Sequence, residues 1–240
     1  MRKSNFQDKY INEYGGNLLF LNELINIIKN ISKPRVLDIG CGSGTLAQFI
    51  SLFSDVTGTE ICIERACAAN KKIKCLYEKD GEIPKKIGLF DLIYCKEVLP
   101  SIKDKSLFYK QIFNTLSKNG FFCTYMPNVN DIQEKPLFNF IPSSISTTIS
   151  SYSSITKNKL LLQEAGFKNI KETRISLGSV SLNENYANKH RDGYFNNSID
   201  ESKNIRISGL YNMISSINCL SQVGINIYYE FERTMIIVQK

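Results

Sequence analysis

The strongest constraint on this chain is a glycine loop. The apolar run Arg35-Val-Leu-Asp-Ile39 reads as a short buried strand, Gly40-Cys-Gly-Ser-Gly44 follows at once, and helical apolar spacing resumes from Thr45 to Phe53. Three glycines at alternate positions strip side chains from the turn, so the backbone can reverse tightly and a ligand can approach the main chain. Strand, glycine loop and helix in that order belong to a wound α/β sheet, where ligands bind at the carboxyl ends of the strands. Asp38 stands near the strand's end, where its carboxylate can accept hydrogen bonds from the loop's N–H groups and fix the loop's shape.

The rest of the chain repeats the alternation of helical and strand-like apolar spacing. Leu18 to Ile28 has helical spacing, broken by Pro34. Strands are expected over Asp55–Glu60, Lys72–Tyr77, Phe90–Tyr94 and Phe121–Met126, with helices over Ile61–Asn70 and Leu107–Ser117. Asn119-Gly120 reads as the stop signal of the second of these helices. Residues 127–156 carry Pro127, Pro136, Pro142 and a Ser/Thr-rich run, and read as a loop or a short amphipathic helix. A helix over Lys157–Ala165 and a strand over Phe167–Ile175 follow. Residues 178–225 read as an insertion with a helix over Ile205–Cys219, and Tyr228–Val238 as a closing strand. The expectation is one domain over 1–240, with 127–156 and 178–225 as cap insertions over the substrate.

Two cofactors compete for the glycine loop. The dinucleotide fingerprint is G-x-G-x-x-G, closing on a pyrophosphate, whereas this loop is G-x-G-x-G followed by Thr45. Asp38 would also repel a pyrophosphate. S-adenosylmethionine has no phosphate and carries a cationic sulfonium, which suits an acidic surrounding. Glu60 ends the second strand 22 residues after Asp38, about where an acidic side chain accepts both ribose hydroxyls. Ile61 beside it can pack on the adenine face.

These motifs resemble those of class I S-adenosylmethionine-dependent methyltransferases. Val36-Leu-Asp-Ile-Gly-Cys-Gly-Ser-Gly44 resembles the family's first motif, Val56-Thr-Gly-Thr-Glu-Ile61 its second, and Lys79-Asp-Gly-Glu-Ile-Pro84 its adenine-contacting motif. Phe90-Asp-Leu-Ile-Tyr-Cys-Lys-Glu-Val-Leu99 resembles the fourth, and Leu116–Phe121 and Glu164–Lys168 resemble the runs before the fifth and sixth strands. The resemblance implies a Rossmann-like α/β sheet of order 3-2-1-4-5-7-6 with its last strand antiparallel. It implies S-adenosylmethionine as cofactor and S-adenosylhomocysteine as product. The implied cofactor residues are Asp38, Gly40, Cys41, Gly42, Glu60, Ile61, Asp80 for the exocyclic amine, Gly81 facing the ring, Cys95 and Lys96 near the methionine part, and Tyr14 (with Tyr10) in a closing N-terminal segment. The nearest resemblance is to the ubiquinone-biosynthesis O-methyltransferase type. There a Glu-His pair follows the fourth strand; here Pro100-Ser101 stands in its place, so no histidine base carries over.

Methyl transfer from a sulfonium is an in-line displacement that needs alignment of the nucleophile and exclusion of water, and a base only when the nucleophile arrives protonated. The candidates are His190, the chain's one histidine, and Glu97 after the fourth strand; packing for the first and helix capping for the second are the competing readings. A single histidine and seven cysteines without C-x-x-C spacing exclude the common zinc patterns, so no metal is expected. The N-terminal basic residues have no apolar run behind them, no stretch is long enough to span a membrane, and the cytoplasm is the expected location. The preferred acceptor is a small metabolite or natural-product intermediate, bound by a monomer or homodimer. The net charge of +7 motivates a tRNA or other RNA acceptor as the second reading. A non-catalytic S-adenosylmethionine-binding subunit is the third, and the glycine spacing disfavours a nicotinamide-dependent oxidoreductase.

Overall fold

In the computed structural model, residues 16–78, 83–84, 87–133, 139, 149–150, 152–181, 203–224 and 228–240 are described. The first strand, β1 (Arg35–Ile39), is buried from Val36 onward because it sits between two parallel neighbours. Central parallel strands are covered on both faces, which is why they are near-continuous apolar runs. β2 (Asp55–Glu60) lies on one side of β1 and β4 (Phe90–Lys96) on the other, and β3 (Lys74–Tyr77) pairs with β2. β5 (Leu116–Met126) runs parallel to β4, and β7 (Tyr228–Gln239) runs antiparallel to β5. With β6 (Lys168–Ser181) the order is β3-β2-β1-β4-β5-β7-β6, the one the resemblance implies.

Helix α1 (Gly16–Ile28) buries Phe20, Leu24 and Ile28, one face at four-residue spacing. Phe20 lies edge-on to Tyr94 of β4 at 6.1 Å and tilted over Tyr125 of β5 at 4.9 Å. α2 (Thr45–Ile50) follows the glycine loop and α3 (Ile63–Ala69) follows β2. α4 (Lys105–Thr115) starts two residues before the expected Leu107, because the Asp104 carboxylate accepts from the Leu107 N–H at 2.9 Å and caps it. α4 also ends earlier than expected. Asn119, at φ +64°, sits inside β5, where the pairing with β4 shifts register, so Asn119-Gly120 marks a bulge and not a helix stop.

The chain divides into two compact units. One comprises Met1–Met126, Thr156–Ile175 and Arg233–Lys240, the other Pro127–Ile155 and Ser176–Glu232. In the first lie the sheet's central strands and α6 (Ile155–Glu164), apart from its first residue. In the second, α5 (Val129–Gln133) begins where Asn128 accepts from the Asn130 N–H, and α7 (Lys203–Gln222) buries Met213 and Ile217. β6 continues to Ser181, six residues past the expected end at Ile175, because strand pairing overrides the weak propensity of Gly178 and its serines.

Candidate functional site

Gly40, Gly42 and Gly44 all have positive φ, at +70°, +57° and +75°. At Gly40 a side chain is doubly excluded, since a Cβ there would stand 2.4 Å from a methyl of Val98. The loop's amides point inward. The N–H groups of Gly40 and Cys41 both donate to the Thr59 carbonyl, at 2.8 and 3.0 Å, and that of Gly44 donates to the Cys41 carbonyl at 3.0 Å. The Gly42 N–H donates to Glu60 Oε2 at 2.8 Å. Glu60 Oε1 accepts from the Cys62 N–H at 2.9 Å and from Arg65 Nη2 at 3.2 Å. The loop is therefore clamped to the end of β2, and Glu60, not Asp38, is the carboxylate that fixes its shape. The expectation for Asp38 fails because residues on an extended strand point alternately up and down, and Asp38 turns toward its neighbour on β4 instead.

That neighbour is Tyr94, the register partner of Asp38. Its hydroxyl donates to Asp38 Oδ2 at 2.8 Å, and both side chains are buried. Burial pushes the Asp38 carboxyl up to about 7, opposed by the Tyr94 hydrogen bond and the charge of Lys96 and reinforced by the charge of Glu60. Burial and the Asp38 charge hold the Tyr94 hydroxyl well above its ordinary value. Cys41 Sγ lies 3.5 Å from Cys75 Sγ, and burial raises both thiols. The seven cysteines carry free thiols, with Cys75, Cys95 and Cys123 buried and Cys67 and Cys219 exposed.

A cleft of about 490 Å³ opens at the carboxyl ends of β1 and β2, its walls including Gly40, Glu60, Ile61, Val98, Ile102 and Leu107. The residues present fit S-adenosylmethionine. Three loop amides are already taken by Thr59 and Glu60, which leaves them unavailable to a pyrophosphate. Glu60, which accepts from three donors, also lines the cleft, and a carboxylate offers about four acceptor sites. Ile61 lies on the cleft wall with 54% of its surface exposed, an apolar face for a base.

Residues 9–172 match the methyltransferase domain family. The chain belongs to that family. It is an S-adenosylmethionine-dependent methyltransferase. No curated protein matches the chain in sequence. Among solved structures, the YcgJ protein of Bacillus subtilis shares 16% identity, with 92% of this chain and 97% of that chain covered and a TM-score of 0.64. A putative methyltransferase from an antibiotic biosynthesis pathway of Anabaena variabilis shares 12%, covering 91% and 96%, with a TM-score of 0.65. Phosphoethanolamine N-methyltransferase 2 of Haemonchus contortus, bound to phosphomonomethylethanolamine and S-adenosylhomocysteine, shares 16%, covering 94% of this chain and 52% of that one, with a TM-score of 0.55. At these identities the likeness is one of fold.

Asp38, Gly40, Cys41, Gly42, Glu60 and Ile61 stand together at the carboxyl ends of β1 and β2, and of these Gly40, Glu60 and Ile61 line the cleft. Cys95 is paired in register with Ile39, but its thiol is buried against Thr124 Oγ1 at 3.4 Å, so only its backbone adjoins the loop. Lys96 ends β4, half-buried. Glu97 is no helix cap: the cap position of the following 3-10 turn (Leu99–Ser101) is Val98. Instead Glu97 Oε1 accepts from Arg233 Nε at 3.0 Å, with Arg233 8% and Glu97 43% exposed. Tyr10, Tyr14, Asp80, Gly81 and His190 lie outside the described residues. Sequence reasoning missed Tyr94, Val98 and Arg233. A buried tyrosine needs a partner for its hydroxyl, which flags Tyr94, but that the partner is Asp38 follows from strand register, which spacing does not give. Among the described residues no helix is long and apolar enough to cross a membrane, and no cluster is arranged to hold a metal.

Proposed function

We propose that this methyltransferase acts on a small-molecule acceptor, with Glu97 contacting the group that is methylated. The observation that carries this reading is the backbone of Glu97. It follows β4 directly, at φ +57°, and its N–H donates to the Tyr125 carbonyl at 2.8 Å. A long side chain in the left-handed region costs of order 1–3 kcal/mol and persists where its surroundings over-determine it, commonly at functional sites. Arg233 Nε holds one carboxylate oxygen at 3.0 Å, and 43% of the Glu97 side chain is exposed, where an acceptor's N–H or O–H can approach it. When bound, S-adenosylmethionine supplies a methyl group already activated on sulfur. The chain's residues then align the nucleophile and exclude water. Residues 127–156 and 178–225 form the acceptor cap in this reading, and His190, within the second, is the other candidate for moving a proton. A solved neighbour holding phosphomonomethylethanolamine supports a small acceptor.

The test is methyl-labelled S-adenosylmethionine with the purified chain against panels of small amines, phenols and carboxylates, and against transcribed tRNA. Label in a small acceptor is expected, falling about 100-fold in Glu97→Ala, while S-adenosylhomocysteine affinity stays within about threefold. Label only in RNA would overturn the reading.

A further inference from the structure

Asp38 and Glu60 are both buried beside the glycine loop, at 3% and 4% exposure. Three N–H donors converge on Glu60. Among the described residues, Asp38 receives one donor, the Tyr94 hydroxyl. A buried carboxylate with a single hydrogen bond is poorly compensated, and such a group takes up a proton to avoid carrying charge in a low-dielectric place. The charged and titratable groups around it come from three elements. Glu60 on β2 opposes its ionisation, Lys96 on β4 favours it, and the thiols of Cys41 in the loop and Cys95 on β4 lie within its field. From α1, Phe20 closes the far side of Tyr94 with a ring and no charge.

The reactant and product of the reaction differ at one atom by a full charge: the donor carries a sulfonium and the product a neutral thioether. We propose that Asp38 and Tyr94 form a proton-coupled device that reads this charge. The Asp38 carboxyl would give its proton to solvent when the sulfonium-bearing nucleoside occupies the cleft that the adjacent Ile39 and Gly40 line, with the Tyr94 hydroxyl holding the carboxylate so formed. It takes a proton back from solvent once the site holds the neutral thioether. No other bond is made or broken. Asp38 is here a positioning charge and not a catalytic residue, and the consequence is discrimination in favour of the donor over its own product. The inference rests on the assignment of S-adenosylmethionine as donor.

The sign follows from linkage. An unliganded carboxyl that titrates at about 7 is protonated below that pH. The cation prefers the ionised form, so donor affinity weakens as pH falls, by about tenfold between pH 8 and pH 6, and levels off above. The test is isothermal titration calorimetry of the purified chain with S-adenosylmethionine and with S-adenosylhomocysteine over pH 6–8, repeated in buffers of different ionisation enthalpy. The expected result is release of about half a proton per donor bound at pH 7, with the product's affinity changing by less than about twofold. Asp38→Asn should remove the donor's extra pH dependence while leaving the titration of the ligand's own amino group. Tyr94→Phe should move the midpoint upward, since the hydroxyl's hydrogen bond favours the ionised carboxylate; this second variant serves if the first does not fold. Equal pH dependence for the two ligands, or a donor-specific dependence that survives in Asp38→Asn, would overturn the proposal. Should neither ligand bind at submillimolar concentration, the donor assignment itself fails, a distinguishable result.

Discussion

Asp38 is the penultimate residue of β1 and Glu60 the last of β2, on adjacent strands at one end of the sheet and almost equally buried. Their surroundings differ. Glu60 meets two backbone amides and the Arg65 guanidinium, so its carboxylate belongs to the backbone of the glycine loop and the start of α3. Among the described residues Asp38 accepts from one side-chain donor, the Tyr94 hydroxyl, and burial pushes its carboxyl up to about 7. The lesson is that burial alone does not assign a role to an acidic residue. The number of donors that converge on it separates a structural clamp from a group whose charge a ligand can change.

The comparison breaks most sharply at Glu60. Glu60→Ala removes the acceptor of two amides in a site where charged hydrogen bonds contribute about 1.5–3 kcal/mol each, so S-adenosylhomocysteine affinity should fall by about 100-fold or more, measured by calorimetry. Glu60→Gln should recover little, because both oxygens accept from N–H groups and an amide would set its NH₂ against one of them. Recovery to within about threefold by Gln would mean that the clamp is not what Glu60 contributes.

The central sheet was legible because its strands are short runs set between glycine, proline or charged residues. Arg35–Ile39 and Asp55–Glu60 stand where their spacing puts them. Helix ends were less legible. The capping carboxylate of Asp104 moved the start of α4, and the bulge at Asn119 mimicked a helix stop. In the site, residue types and positions were readable, but partners were not. Whether Asp38 or Glu60 takes the loop amides depends on strand register and on which face of each strand a side chain leaves, and neither is written in spacing. Arg233 is 136 residues from Glu97 in sequence, and pattern reasoning has no means to pair them.

Gly40 tests the other wall of the same loop. Gly40→Ala places a methyl 2.4 Å from the Val98 side chain on a backbone at φ +70°, and the expected loss in unfolding free energy is about 2–4 kcal/mol. Val98→Ala in the same chain should restore the steric part and leave the backbone part, so partial rescue is the expected result. Complete rescue would show that the positive φ carries no strain.

The pH dependence of stability sharpens the Asp38 side. Its carboxyl lies near 3.8 when unfolded and near 7 when folded. The sign for a raised value is that its contribution is complete below about 4 and is lost as pH rises toward 7 and beyond. Asp38→Asn removes that loss. The variant should therefore gain on the wild type between pH 5 and pH 8, by on the order of 2 kcal/mol once relaxation around a buried charge is allowed for. Urea unfolding at the two pH values measures it.

The smallest expected effect separates ligand from loop at the end of β2. Ile61 is next to the clamp but half its surface is exposed on the cleft wall, so it contributes little to the fold as it stands. Burying it under an adenine face is worth about 1 kcal/mol, and Ile61→Ser should weaken S-adenosylhomocysteine binding by roughly fivefold with the thermal midpoint unchanged. Glu60→Ala should lower both affinity and midpoint. If Ile61→Ser instead lowers the midpoint and leaves affinity alone, Ile61 serves the packing of α3, and the base must lie against other apolar residues of the cleft, among which are Val98, Ile102 and Leu107.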